Sequence, residues 1–143
     1  MSDNLTKARE ILAGGGFTFA AFNGETALTD DRRGVKPLLD ILDRGETLRG
    51  FSAADKVVGK AAAFLYVLLD VSEVYADVIS GHALAVLEEH NVRAEYSVLT
   101  EAVKNRAGTG FCPMETAVLG ENVPESALEK IRAEIIELSR NKN

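Results

Sequence analysis

Leu5, Ala8, Ile11 and Leu12 fall at helical spacing and stop at Gly14-Gly15-Gly16, a run that no helix interior favours. The spacing predicts a short first helix closed by glycine. In "FTFAAFNGETALT" two apolar runs flank Asn23-Gly24, the dipeptide best suited to a type I′ hairpin turn, so two antiparallel strands follow. After the polar "DDRRG", Val35, Leu38, Leu39 and Leu42 keep helical period as far as Gly45. Pro37 is tolerated there because it lies in the first turn.

"TLRGF" reads as a brief extended connection, and Ser52 then as the N-cap of a long helix. Asp55 stands at its third position in a capping-box arrangement. That helix runs to about Leu69 and is apolar around most of its girth after Lys60, as a helix buried on several sides would be. "EVYADVIS" is β-branched and aromatic, "GHALAVLEEHN" is helical and closes at Asn91, and "RAEYSVL" is strand-like again. This strand, helix, strand unit predicts a right-handed parallel crossover. The last helix starts at Pro124, with Leu128, Ile131, Ile135 and Leu138 on one face. The order predicts a sheet of mixed strand direction with helices on both faces.

At 143 residues, 46% apolar and 27% charged, the chain has the size and composition of one domain spanning residues 1–143. No repeat, low-complexity tract or linker divides it. A net charge of −6 argues against a nucleic-acid duplex as partner. The nearly uncharged run from Ala61 to Leu69 is too short to cross a bilayer, which needs about 20 apolar residues. One cysteine and an N-terminus without an apolar run predict a cytoplasmic protein.

"DKVVGKAAAF" at 55–64, "YADVIS" at 75–80 and "NRAGTGFCPMETAV" at 105–118 resemble a small bacterial and archaeal family assigned to the cytidine-deaminase-like fold. The resemblance covers the chain roughly from the hairpin through Val118. It implies a three-layer α/β architecture, with a mixed sheet, an N-terminal antiparallel hairpin and helices on both faces. In zinc deaminases of that fold, a His/Cys-x-Glu motif opens the central helix and PCxxC opens the next. Here "ADKVV" and "ISGHA" occupy those places, and the chain has one Cys and two His in all. His82 and His90 are eight apart on one predicted helix, about 12 Å at 1.5 Å per residue, so they cannot share one zinc. No metal and no other cofactor is expected.

The residues left for chemistry cluster at helix starts. Lys56 and Lys60, four apart in the first turns of the predicted central helix, oppose its macrodipole. They suit an anionic, nucleotide-like ligand held at the helix mouth, or else a solvated Lys56 and a Lys60 paired with a carboxylate. Gly59 between them suggests close approach of a backbone or ligand. Asp55 is either the cap's carboxylate or an acid/base group. Ser80 and Gly81 end a parallel strand and open a helix, where open α/β sheets bind ligands, although Ser80 is also a good N-cap. His82 is a proton shuttle or an idle surface residue, and His90 a surface group near the helix end.

Cys112 precedes Pro113, with Glu115 three residues on in capping-box position and Gly108 and Gly110 behind. A thiol at a helix start is an activated nucleophile or a small buried residue. Two functions are expected from these features. One is a zinc-free domain that binds a small anionic ligand, with Cys112 or Asp55 for covalent or acid/base work. The other is a non-catalytic metabolite-sensing or regulatory domain whose amphipathic terminal helices form a homo-oligomer.

Overall fold

The computed structural model describes residues 2–101 and 112–140. The first helix, α1 (Asp3–Gly14), is capped by the Ser2 hydroxyl, which accepts from Leu5 N at 3.1 Å. Strands β1 (Phe19–Phe22) and β2 (Ala27–Asp30) form the expected antiparallel hairpin. Its turn differs from the expectation. Among the described residues only Gly24 of the Asn-Gly pair has positive φ, at 101°, so type I′ is not formed. Asn23 Oδ1 instead accepts from the backbone of Glu25 at 2.9 Å and Thr26 at 2.6 Å, and the side chain builds a wider four-residue loop.

Helix α2 (Lys36–Asp43) carries Pro37 in its first turn and buries Leu38, Leu39 and Ile41. The long helix expected from Ser52 to about Leu69 is not formed. Residues Ser52–Val58 form a strand, β3, and the central helix α3 spans only Lys60–Leu68. Ser52 therefore caps nothing. Its hydroxyl donates to Glu73 Oε2 at 2.7 Å, and Ser2 donates to the same oxygen, which ties the start of α1 to the sheet. β3 lies between β1 and a later strand, and Ala53 and Ala54, facing opposite sides, are both fully buried. A central strand covered on both faces lacks polar alternation, and small residues let helices approach it; that is why its alanines read as helix.

Strand β4 (Glu73–Ser80), helix α4 (Gly81–Glu89) and strand β5 (Arg93–Thr100) form the parallel unit expected, followed by the short α5 (Pro113–Ala117) and the long α6 (Pro124–Arg140). The sheet order is β2-β1-β3-β4-β5, antiparallel among β2, β1 and β3 and parallel from β3 to β5. One face packs on α1 through Leu5, Ala8, Leu12, Ala20, Ala54 and Tyr75. The other carries the larger core around Phe64, Leu65 and Tyr66 of α3, which is flanked by α2, α4 and α6. On α6, Ile131 is buried, Leu128 and Ile135 are partly buried, and Leu138 is 40% exposed, so its apolar face outruns the core. No helix among the described residues is long and apolar enough to cross a membrane.

Candidate functional site at the mouth of α3

Parallel strands β3 and β4 each end at the start of a helix, α3 and α4, which sets two helix N-termini side by side at the C-terminal end of these strands. Each helix start presents backbone N–H groups without intrahelical partners. At α4 the solution is local. Ser80, 1% exposed, accepts from Ala83 N at 3.0 Å and is the N-cap. Replacing Ser80 by alanine is expected to cost about 1 kcal/mol and to speed hydrogen exchange at Ala83 N–H, measured by thermal melting and exchange NMR.

At α3 the N-cap is Gly59, which has no side chain to offer. The missing acceptor comes from α5: Glu115 reaches across 55 residues of sequence, so that Lys60 N donates to Oε1 and Ala61 N donates to Oε2 at 3.0 Å. Here the capping-box expectation for Glu115 is corrected. Its carboxylate caps α3, and Cys112 makes no side-chain cap of α5. Gly59 explains itself through the same contact. A Cβ there would stand 1.7 Å from Glu115 Oε1, so only glycine lets the carboxylate seat.

The seat is an electrostatic compromise. Glu115 is buried, and desolvation, the largest influence, raises its pKa above the ordinary glutamate value. The Ala61 and Lys60 N–H groups and the charges of His82 and Lys60 pull the other way. Lys60 is itself buried, at 8% exposure, and its Nζ donates to Leu119 O at 2.8 Å beside the Phe64 ring. The chain thus gathers two amides, an ammonium and an imidazole around one carboxylate.

Of the residues singled out in the sequence, Gly59, Lys60, His82 and Glu115 meet at this mouth. Cys112 is one helical turn behind it: its carbonyl accepts from Glu115 N at 3.0 Å, and it is partly exposed. Gly81 has open space at its Cβ position. Gly108 and Gly110 lie outside the described residues. His90 stands at the far end of α4, its Nδ1 2.9 Å from Val86 O.

Lys56 and Asp55 do not join the mouth, because both lie on β3 rather than α3. Asp55 and Val58 both turn to the main core, which leaves Lys56 and Val57 exposed between them. Lys56 Nζ pairs with Asp77 at 3.4 Å. Asp55 accepts from the Tyr66 hydroxyl at 2.7 Å, and Tyr66 is six residues into α3, about 9 Å along its axis. Burial pushes the Asp55 carboxyl up to about 7 against the Tyr66 and backbone hydrogen bonds that lower it. Sequence reasoning missed this pair, though a tyrosine amid the apolar residues of α3 signals that its hydroxyl needs a partner.

No curated protein matches the chain. The crystal structure of a DUF1893 family protein, TM1506, from Thermotoga maritima at 2.70 Å resolution is similar, with a TM-score of 0.83 and 30% identity over 98% of this chain and 92% of that one. A family model described as a domain of unknown function (DUF1893) matches residues 7–135. The chain belongs to the DUF1893 family.

Proposed function

We propose that the chain is a non-hydrolytic binding domain of cytidine-deaminase-like architecture, which takes a small anionic ligand of carboxylate or phosphate type at the mouth of α3. The order of hairpin, outer helix, buried helix and parallel crossover supports the architecture. The observation that carries the function is Glu115, a carboxylate already seated on the Lys60 and Ala61 N–H groups beside the Lys60 side chain. It serves as a built-in stand-in for the ligand, and its raised pKa makes it a weaker occupant than an anion that keeps its charge at less cost.

A zinc deaminase mechanism does not fit these residues. The α3 mouth offers glycine and lysine where that chemistry needs a nitrogen or sulfur donor and a glutamate, and the α4 mouth offers Ser80, Gly81 and His82 in place of two cysteines. Asp55 is engaged by Tyr66 and set back from the mouth, which argues against its use as an acid or base on a ligand there. Cys112 stands one helical turn before Glu115, its carbonyl accepting from Glu115 N.

Isothermal titration with phosphate, acetate and a nucleoside monophosphate tests the reading. Glu115→Ala, which removes the internal competitor, is expected to bind at least one of them roughly tenfold more tightly than the intact protein. Lys60→Met in that background is expected to lose the gain. Equal affinity in all three proteins, or no binding in any, overturns the proposal.

A further inference from the structure

The two edges of the sheet are unlike. β2 is four residues long and ends in Asp30, which Arg32 pairs at 2.7 Å, so that edge is short and charged, the usual protection against pairing with another chain. β5 is twice as long, at eight residues, and pairs only with β4 among the described residues. It holds no proline and no lysine. Tyr96, Val98 and Leu99 on it are 42%, 53% and 51% exposed, a concentration of apolar surface on a strand with no outer neighbour among the described residues. Helix α1 packs on β1, β3 and β4, and the exposed Val57 lies in register with Val78 and the exposed Val98 across the adjoining strands.

We infer that β5 is a self-association edge, and that its partner is β5 of a second copy, paired antiparallel about a two-fold axis at Ser97. Charge complementarity selects this partner and this register. With Ser97 opposite itself, Arg93 of each copy faces Glu101 of the other, so two ion pairs close the ends of one ladder and the exposed apolar residues lie between them. Arg93 and Glu101 are both exposed, and among the described residues Arg93 makes a single long ion-pair contact, to Glu95 at 3.4 Å. The result is a continuous ten-stranded sheet, built from two copies of the five-stranded one.

Sedimentation velocity on the full chain, from about 1 to about 100 micromolar, measures the association. The intact protein is expected to dimerise in that range. Arg93→Glu alone sets like charges opposite each other twice and is expected to raise the dissociation constant roughly tenfold or more. Adding Glu101→Arg reverses both members of each pair and is expected to restore it. Both positions are on the surface, so these variants test the interface without disturbing the core. Val98→Lys, a charge on the edge itself, is expected to leave a monomer. A monomer at every concentration overturns the inference, whether the edge is bare or covered within one chain. So does a dimer indifferent to Arg93→Glu, which would place the contact elsewhere, for instance on α6.

Discussion

Gly59→Ala is expected to destabilise the protein by about 2–4 kcal/mol, lowering the melting temperature by very roughly 5–12 °C for a chain of this size. The backbone is not the reason, since Gly59 has φ −97° and ψ −178°, extended geometry open to alanine. The cost comes from the added Cβ, 1.7 Å from Glu115 Oε1. Glu115 must withdraw, and the Lys60 and Ala61 N–H groups then lose their acceptor at a buried helix start. The double-mutant cycle makes this specific. In a Glu115→Ala background the clash is gone, so Gly59→Ala should cost less than about 1 kcal/mol, with a coupling energy above about 1 kcal/mol between the two sites. Additive effects, measured by urea unfolding, would mean that glycine is required for another reason.

The second large effect concerns Asp55. Its carboxyl rises from an ordinary 3.8 to about 7, so the folded protein binds this proton more tightly than the unfolded chain does. The stability it contributes is therefore fully present below pH 4 and is lost as the pH rises through 7. By linkage a rise of that size corresponds to about 4 kcal/mol, and the partial exposure of the group reduces this to about 2 kcal/mol. Asp55→Asn keeps an acceptor for the Tyr66 hydroxyl and removes the charge. It is expected to be more stable than the intact protein at pH 8 and no more stable at pH 4. Denaturant melts of both proteins across that range, compared with each other so that the remaining groups cancel, give the answer. A constant difference between the two proteins would show that Asp55 is not held protonated by its surroundings. Glu115 adds to the trend with the same sign, since its pKa is also raised.

Much of the fold was legible in the chain. The glycine stop after α1, the hairpin, α2, the β4-α4-β5 unit and the proline-started α6 all follow from periodicity and turn residues. β3 was not, because Ser52-Ala53-Ala54-Asp55 imitates a capped helix start. The counter-signal was present in Val57-Val58-Gly59, a β-branched pair and then glycine, the pattern of a strand that ends before a helix begins. This single misreading moved two candidate residues. With 52–58 taken as helix, Lys56 and Lys60 share a stripe; in the strand, Lys56 turns away to Asp77.

The candidate site was half legible. Gly59, Lys60, His82 and Glu115 carry visible signals, a glycine and a lysine at a helix start among them. Their convergence depends on Glu115 crossing from α5 to α3, a contact between distant parts of the chain that no local spacing encodes. Leu119, whose carbonyl receives the Lys60 ammonium, acts through its backbone and leaves no mark in the sequence.

The seat of Glu115 on the α3 mouth is tested most directly by the amide signals of Lys60 and Ala61, followed by NMR through a pH titration of the intact protein. Both amides should shift together, with one midpoint above the ordinary glutamate value near 4.5, and both transitions should vanish in Glu115→Gln. Amides that do not respond, or a midpoint at or below 4.5, would contradict the account.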